Sequence, residues 1–499
     1  MTMRSSGLFV SFGIALATAG ALSMAPHAHA SDSRLSSDSA SIASSAQGAP
    51  STAAKAAALT EKEVLELGTE AYVYGYPLVT MEMTRRIMTN VASPEATRAP
   101  MGQFVRMRTY PTAAFRDVTA PNADTLYTTA WIDVSKEPWI LSTPDFGDRY
   151  FLLPMLDGWT NVFQVPGKRT TGGKAATYAI TGPGWSGKLP AGVTEFKSPT
   201  GIVWILGRIY CDGSANDYAA VHKLQDAMSL TPLSSFGKDY KPAPGKVDAS
   251  IDMKTAVRDQ VNHLDAAAYF NMLAQLMAQN PPSAADAPMV AKLARLGIIP
   301  GQPFVADRLG AGAAALAKVP SAGVEQIMGS FAHAGTNENG WIFTTKTGEY
   351  GTGYLDRALI TAIGLGANRP QDAVYPTSEN DASGKPYDGS KKYTMHFAKG
   401  QMPPVRGFWS LTMYDANYFF VDNPLNRYTL SSRSQFKTNA DGSVDLLIQH
   451  ADPGADKQAN WLPAPAGKFI LMLRLYWPDE KAPSLLDGSW KIPAVVEVK

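Results

Sequence analysis

Cysteine is almost absent from this sequence, since Cys211 is the only one among 499 residues. An intramolecular disulfide needs two cysteines, so disulfide cross-links are excluded and packed cores must supply the stability. No excess of charge is present either: the 45 Lys and Arg fall to 44 without Arg4, which lies in the first thirty residues, against 44 Asp and Glu. Nucleic acid and anionic membranes recruit strongly basic surfaces, so we expect neither as a partner.

The motifs of several enzyme classes are missing too. No Gly-x-Ser-x-Gly motif occurs, which excludes a standard α/β-hydrolase. A glycine-rich run at Gly310 has no predicted strand before it, which argues against a dinucleotide site. Beyond residue 30 the histidines are scattered without metal-ligand spacing, at His222, His263, His333, His396 and His450. We therefore expect neither a bound metal nor a cofactor.

The first thirty residues have the three parts of a cleavable export signal. Arg4 precedes an apolar run over 7–24, and the small-residue triplet Ala28-His29-Ala30 follows it. A membrane-spanning helix needs about 20 continuous apolar residues, whereas Ser and Thr interrupt this run and the cleavage site follows directly. The sequence therefore predicts cleavage between Ala30 and Ser31, no membrane insertion, and a periplasmic or secreted protein.

The chain after the signal begins with a tether and a helix. Residues 31–59 are rich in Ser and Ala and cannot bury enough apolar surface to become ordered, so we expect a disordered tether. Thr60 and Glu63 have the spacing of a capping box, which predicts the start of a helix. A Gly-Tyr-Pro interruption leaves open whether that helix ends near Tyr74 or continues to Met88.

Hydrophobic periodicity divides the rest of the chain into two strand-like segments with a helical segment between them. Period two, which is typical of strands, occurs on both sides of a segment rich in Ala, Leu and Met with helical spacing. The predicted organisation is a signal peptide at 1–30, the tether at 31–59, an N-terminal helix at 60–93, a first β-sandwich at 94–215, a helical region at 216–370 and a second β-sandwich at 371–499. Helices are predicted at 216–229, 253–279, 284–296 and 304–317, with Ser283 and Gly297 as caps of the third.

The two β regions resemble each other. Three segments match in the same order: Arg149–Asp157 with Arg406–Asp415, Thr177–Pro183 with Asp445–Pro453, and an Arg-x-Tyr strand carrying Arg208 and Tyr210 in one region and Arg474 and Tyr476 in the other. Chance similarity is the alternative, because few residue types dominate strands. The matches predict an α+β multidomain chain of two duplicated antiparallel β-sandwiches that flank a helical insert.

Two carboxylates stand in turns where chemistry is possible. Asp124 lies in Pro121-Asn-Ala-Asp-Thr-Leu-Tyr127, and Asp157 begins Asp157-Gly-Trp-Thr-Asn161. Either these side chains cap their turns, or they form a catalytic acid/base pair across a cleft. Arg208 and Arg474 stand on faces that are otherwise largely apolar, so each is expected to have a carboxylate or carbonyl partner.

A further set of side chains is predicted to bind the substrate. Aromatic rings beside turns can stack on a ring-shaped ligand, and arginines can orient an anionic or hydroxylated one. The predicted substrate-binding residues are Asn122, Tyr127, Trp159, Arg357, Trp409, Tyr414, Asn423, Arg427, Tyr428 and Trp461. We expect Asn122, Asp124 and Tyr127 to line one cavity between the two halves, together with Trp409, Tyr414 and Arg427.

With these residues in view, the chain resembles a bacterial family that pairs two domains of unknown function, twelve fifty-four and twelve fourteen. The resemblance rests on Pro121–Tyr127 with Trp131 and Asp133, Tyr354–Ala358, Gly364–Asn368, Phe408-Trp-Ser, Asn423 with Arg427-Tyr428, and Asn460–Pro463. It implies two β-sandwiches with helices between them, the second jelly-roll-like, and a helical connector that brings Arg357 close to the second sandwich. It also makes a homo-oligomer plausible, and it implies no reaction.

Two functions are compatible with this sequence. One is an exported hydrolase of a small polar or glycan-like molecule, with Asp124 and Asp157 as catalytic residues and the ligand between the two halves. The other is a non-catalytic ligand-binding or envelope-interaction protein that uses the same pocket without turnover. Two carboxylates facing each other across a cleft would favour the hydrolase. A single large pocket lined by neutral aromatic residues would favour binding.

Overall fold

The computed structural model describes residues 59–116 and 119–498. The predicted signal peptide, its cleavage site and the predicted tether up to residue 58 lie outside the described residues. The described chain is a mixed α+β protein with two β-rich regions and helices between them, as the sequence predicts.

The N-terminal helix α1 spans Glu61–Thr89 and starts at the predicted capping box of Thr60 and Glu63. It continues without a break through Pro77, so the longer of the two sequence alternatives is confirmed. An internal proline costs a helix about 3 kcal/mol. Every residue from Ala71 to Met81 is buried among the surrounding helices, and this packing offsets the cost.

Six further helices follow, and several pack around α1. They are α2 (Ala215–Ala227), α3 (Val257–Asn262), α4 (Ala266–Gln279), α5 (Ala287–Arg295), α6 (Val319–Gly329) and α7 (Tyr354–Gly364). Short 3-10 helices occupy Leu233–Ser235, Ala284–Asp286, Ala306–Lys318, Ser330–His333 and Ala455–Asn460. The predicted cap at Ser283 is confirmed and forms a capping box with Asp286 before α5, and Gly297 follows that helix with a φ of 79°.

The first β-rich region contains two sheets. Its strands are β1 (Val105–Arg106), β2 (Thr125–Asp133), β3 (Trp139–Thr143), β4 (Phe151–Leu152), β5 (Met155–Asp157), β6 (Val162–Gln164), β7 (Ala176–Thr181), β8 (Thr194–Lys197), β9 (Ile202–Tyr210) and β10 (Ser229–Pro232). One sheet has the order β1-β2-β9-β5-β6, with β4 also on β9, and the other has β10-β3-β7-β8. Leu126 and Ile205 of one sheet share a core with Leu141 and Ile180 of the other.

The second β-rich region is built in the same way. Its strands are β11 (Thr336–Glu338), β12 (Trp341–Phe343), β13 (Ala373–Val374), β14 (Thr377–Ser378), β15 (Lys392–Phe397), β16 (Val405–Asp415), β17 (Thr429–Ser431), β18 (Val444–Gln449), β19 (Trp461–Pro463), β20 (Phe469–Pro478) and β21 (Val495–Val498). One sheet has the order β11-β12-β14-β20-β16-β17, and the other has β19-β18-β15-β21. Leu473 of the first of these sheets and Met395 of the other lie in one core between the two sheets.

The two regions share one strand order. Strands β2, β9, β5 and β6 lie side by side in the first region, and β14, β20, β16 and β17 do so in the second. The other sheets, β10-β3-β7-β8 and β21-β15-β18-β19, also correspond, and in both the last two strands are parallel. The three matched sequence segments lie on corresponding strands.

The register of these strands corresponds as well. Asp157 ends β5 opposite Val203 of β9, and Asp415 ends β16 opposite Phe469 of β20. Val203 and Phe469 are equally far from the Arg-x-Tyr arginines of their strands. The two arginines therefore occupy equivalent positions, which matters for the site described below.

The predicted helical region differs from the structure in four places. Strand β10 lies within it and joins the first β-rich region, while β11 and β12 join the second. These strands are too short for the alternation of apolar and polar residues to be recognised in the sequence. The predicted helix 253–279 is two helices, since Asp265 caps the start of α4. The predicted helix 304–317 is a 3-10 segment with a break at Gly310, whose φ of 56° is not helical.

Candidate functional site

A cavity of about 140 Å³ lies between the two β-rich regions and the connector that contains α7. Strands β2 and β9 contribute from the first region, and β20 contributes from the second. Most of the wall is apolar, formed by Phe331, Ile342, Phe343, Leu359, Ile360, Ile363, Leu365, Val374 and Met472. Its polar side chains include Asn122, Tyr127, Arg208, Asn368, Tyr375 and Arg474.

Arg208 reaches this cavity from β9 and is 3% exposed. Its Nη1 donates to Asn368 Oδ1 at 2.8 Å and to the Leu206 carbonyl at 3.2 Å, while Nη2 donates to the Gly366 carbonyl at 3.2 Å. The loop after α7 therefore binds one edge of the guanidinium group, through Asn368 and Gly366. A side chain at position 366 would meet Leu206, and φ is 88° there, so glycine is required.

Arg474 reaches the same cavity from the equivalent position on β20 and is also 3% exposed. Its Nη1 donates to Thr412 Oγ1 at 2.6 Å, and its Nη2 donates to the Tyr414 hydroxyl at 2.5 Å and the Ala120 carbonyl at 3.1 Å. All of these acceptors are neutral. The corresponding strand order and register thus place two buried guanidinium groups on one cavity.

The charge of this pair is not balanced by direct ion pairs. Within residues 59–116 and 119–498, no carboxylate oxygen lies within 4.0 Å of either guanidinium. Buried Asp124 is nearby, but its Oδ1 accepts from Arg433 Nη1 at 3.1 Å, so a third arginine pairs with it. Burying a cation without a carboxylate is unfavourable, and a bound anion would relieve this cost.

Asn122 and Tyr127 frame the polar end from the first region. Asn122 Oδ1 accepts from the backbone N–H of Asp124 at 2.7 Å and of Thr125 at 3.0 Å, an Asx turn that fixes its side chain. Its Nδ2 donates to the Tyr476 hydroxyl at 2.7 Å. The Tyr127 hydroxyl accepts from Arg208 Nε at 3.4 Å, and its ring lies 5.2 Å from the guanidinium carbon.

Sequence reasoning did not select Asn368 and Tyr375 as ligand-binding residues. Asn368 Nδ2 donates to the Tyr375 hydroxyl at 2.8 Å. Burial raises the pKa of Tyr375, and this hydroxyl can donate to a ligand while it accepts from Asn368. Asn368 belongs to the Gly364–Asn368 family segment, which could have marked it. Tyr375 lies between two strands of two residues each, so no periodicity indicates its direction.

Asp124 lies beside the cavity and links the two halves of the protein. Its Oδ2 accepts from Ser410 Oγ of β16 at 2.6 Å, and Arg433 Nη2 also donates to the Ala123 carbonyl at 2.8 Å. Tyr414 donates to the Pro121 carbonyl at 2.7 Å in the same contact. The turn around Asp124 therefore docks the first region onto β16. Asp124 and Tyr414 are not among the cavity-lining residues, whereas Asn122 and Tyr127 are.

Asp157 is placed elsewhere, in the turn after β5. Its Oδ1 accepts from the backbone N–H of Trp159 at 2.8 Å and of Asn161 at 2.9 Å. Burial raises the pKa of this carboxyl to about 6, and the hydrogen bonds from Asn161 and nearby Arg357 oppose the rise. The acid/base pair expected across a cleft is not formed at this cavity, because neither carboxyl lines it.

The equivalent turn of the second region repeats this geometry. Asp415 Oδ1 accepts from the backbone N–H of Asn417 at 2.8 Å and of Phe419 at 3.0 Å. The residue before the last one of each turn has a positive φ, 70° at Thr160 and 63° at Tyr418. Asp157 and Asp415 therefore cap corresponding turns, and for Asp157 this is the structural role that the sequence offers as the alternative to catalysis.

Arg357 lies near Asp157 and Trp159. Its guanidinium carbon is 5.3 Å from the Trp159 ring, 5.6 Å from that of Tyr74 and 5.4 Å from that of Tyr354. Its Nε and Nη2 are buried and make no hydrogen bond to the described residues. Arg357 thus faces α1 and the turn after β5, while other side chains of α7 line the cavity together with β12 and β20 of the second region. The closeness of Arg357 itself to the second sandwich stays a prediction.

The remaining predicted residues form a third group in the second region. Arg427 Nη1 donates to the Trp461 carbonyl at 2.9 Å, and Asn423 Nδ2 donates to the Arg427 carbonyl at 3.0 Å. The Tyr428 hydroxyl accepts from a backbone N–H of the first region. Trp409 is buried in the hydrophobic core of the second β-rich region. The prediction that Trp409, Arg427 and Tyr414 line the same cavity as Asn122 is wrong, because none of the three is among its lining residues. Strand alternation and loop packing direct their side chains to other surfaces.

Residues 59–116 and 119–498 contain neither a metal-ligand cluster nor a membrane-spanning helix. No cluster of three or more His, Cys, Asp or Glu side chains that could hold a metal ion occurs there. None of the helices in this part of the chain is long and apolar enough to cross a membrane.

Family models match the two β-rich regions. Residues 101–232 match a protein of unknown function (DUF1254), and residues 372–480 match a protein of unknown function (DUF1214). The chain belongs to the family that pairs these two domains. The first match contains β1 to β10, and the second contains β13 to β20, so both arginines of the cavity lie inside the matched segments.

Solved structures are similar to the chain over most of its length. The crystal structure of the VPA0106 protein from Vibrio parahaemolyticus has 25% sequence identity and a TM-score of 0.64, and the match covers 87% of this chain and 100% of that one. The structure of a putative uncharacterized protein from Burkholderia cenocepacia has 12% identity and a TM-score of 0.40, covering 88% and 93%. No curated protein is significantly similar to this chain.

Proposed function

We propose that this protein binds a small organic anion with an apolar body, without turnover, in the cavity between the two β-rich regions. The observation that carries the proposal is the pair of buried guanidinium groups, Arg208 and Arg474, at one end of an otherwise mostly apolar chamber. A carboxylate suits a guanidinium because two parallel N–H donors match its two oxygens. The apolar wall suits the remainder of such a ligand.

The size of the chamber limits the ligand. A cavity of roughly 150 Å³ lined by apolar side chains holds benzene. A cavity of about 140 Å³ therefore suits an aromatic or short aliphatic monocarboxylate such as benzoate or hexanoate. The hydroxyls of Tyr127 and Tyr375 and the amide of Asn122 stand at the polar end to complete its hydrogen bonds.

Calorimetric titration with benzoate and its neutral isostere benzamide tests this proposal. We expect benzoate to bind at least about tenfold more tightly, since a hydrogen bond to a charged group contributes about 1.5–3 kcal/mol. Arg208→Met and Arg474→Met should each weaken benzoate binding by a similar factor. Arg427→Met is the matched control, because Arg427 binds backbone carbonyls outside the cavity. Equal binding of benzoate and benzamide would refute the proposal.

The hydrolase expected from the sequence is the alternative proposal. The hydrogen bond between Ser410 and Asp124 supports it, as does the raised pKa of Asp157, because perturbed carboxyls often mark functional sites. A panel of esters, lactones and glycosides tests it. Turnover that Asp124→Asn reduces about 100-fold without lowering the melting temperature would favour the hydrolase. Absence of turnover on every substrate would favour binding alone.

Three further features belong to the proposal. We propose that each β-rich region is a β-sandwich, the second jelly-roll-like, and the core that its two sheets share supports this. We also propose export to the periplasm or medium, supported by the three-part signal ahead of Ser31. Thirdly, we propose that the protein forms a homo-oligomer. Light scattering of the purified protein tests this by measuring its molar mass.

A further inference from the structure

A second cavity of about 80 Å³ adjoins the first on the side of the first β-rich region. Its wall is largely apolar and includes Met88, Val105, Met107, Phe115, Trp204 and Leu206. No arginine of the described residues lines it. This chamber therefore offers space for apolar groups and no charge to bind an anionic head.

The two cavities share a wall made of Ala120, Asn122 and Tyr127, each of which lines both. Asn122 is fixed by the three hydrogen bonds described above. Ala120 is held through its backbone, since its N–H donates to the Tyr418 carbonyl at 2.8 Å and its carbonyl accepts from Arg474. These two members of the wall are rigid.

Tyr127 is the member of the wall that is free to change. It is partly exposed between buried Leu126 and Thr128 on β2, because its ring faces the cavities. Its hydroxyl has one long contact, 3.4 Å to Arg208 Nε, and its ring lies over the same guanidinium. A contact of this length is weak. The side chain thus separates the chambers by its volume.

We propose that Tyr127 determines the maximum length of the ligand by closing the second chamber to its apolar tail. The inference rests on the proposed function and names the residue that selects among organic anions. With the carboxylate at Arg208 and Arg474, a benzoate or hexanoate body fills the first chamber. A decanoate tail requires the second chamber, which the tyrosine ring blocks.

The test measures binding of benzoate, hexanoate and decanoate by calorimetry to the protein and to Tyr127→Ala. We expect the protein to prefer hexanoate, and the variant to prefer decanoate with a relative gain of about tenfold or more, since each buried methylene contributes about a fourfold change. Tyr127→Phe is the matched control, because it removes the hydroxyl and keeps the ring. Loss of that hydroxyl should weaken binding of the three acids by a similar factor, so the preference for hexanoate over decanoate should be unchanged. Tyr127→Leu replaces the alanine variant if that variant does not fold.

The outcomes separate this inference from the function on which it rests. If benzoate binds the protein but Tyr127→Ala keeps the preference for hexanoate, the partition is refuted and the proposed function stands. If decanoate binds the unmodified protein as tightly as hexanoate, the partition is refuted too. If benzoate does not bind the unmodified protein at all, the proposed function fails and the inference fails with it.

Discussion

Replacing Asp157 with Asn should change how the stability of the protein depends on pH. Burial raises the pKa of Asp157 from 3.8 to about 6. A carboxyl whose pKa is raised by folding contributes stability that is present below its unfolded pKa and is lost as the pH rises through the folded value. The native protein therefore pays a penalty above pH 6 that Asp157→Asn removes.

The size of the effect follows from the shift. One pKa unit corresponds to about 1.4 kcal/mol, so the free energy of unfolding of Asp157→Asn, relative to the unmodified protein, should rise by about 2–3 kcal/mol between pH 4 and pH 7. The asparagine Oδ1 can still accept from Trp159 and Asn161, whereas its amide faces the Asn161 Nδ2 donor. That conflict lowers the stability of the variant by an amount that does not vary with pH.

Urea unfolding of both proteins at a series of pH values measures this difference. Asp415→Asn is the matched control, because Asp415 caps the equivalent turn while partly exposed to solvent. This variant shows the effect of replacing a turn-capping carboxylate at a partly exposed position, whereas burial is the main cause of the raised pKa at Asp157. A difference for Asp157→Asn that stays flat or falls between pH 4 and pH 7 would refute the reasoning.

Three further results are expected. Arg433→Met leaves buried Asp124 without its ion-pair partner and should lower the free energy of unfolding by about 3–5 kcal/mol in urea; no loss would contradict a buried pair. Gly366→Ala should lower the free energy of unfolding by about 1–3 kcal/mol, because φ is 88° there and the added methyl group would meet Leu206 of β9. The loss should be smaller for Gly351→Ala, where no atom lies within 4 Å of the added methyl group, and equal losses would contradict a clash with Leu206. Mass spectrometry of the exported protein should show Ser31 as the first residue, and an intact residue 1 would contradict cleavage.

Local patterns predicted much of the architecture. The capping box at Thr60, the cap at Gly297 and the alternation of the long strands depend on neighbours within a few residues, so they are visible in the sequence. The repeated Arg-x-Tyr segment was visible for the same reason. The short strands β10 and β12 were missed, since pairing with the distant strands β3 and β14 decides their conformation and local propensity does not. Strand β11 pairs with the neighbouring β12 across the turn at Asn339 and Gly340, a local hairpin signal that the sequence contains.

The candidate site was predicted less well, because residue type does not reveal which surface a side chain faces. Asn122 and Tyr127 do line the cavity, whereas Trp409 packs into a core and Arg427 binds carbonyls in its own region. The two arginines were recognised as buried cations in need of a partner. That both face one chamber could not be known before the regions were docked.

The sequence by itself determined the class of fold, the family and the equivalence of the two β-rich regions, since these depend on periodicity and on repeated segments. Only the tertiary structure decided that Arg208 and Arg474 converge on one cavity and that their acceptors are neutral. The physical reason is that hydrogen bonds and charge pairing act over a few ångströms between residues far apart in the chain, and their energies are set by the packing of the whole molecule.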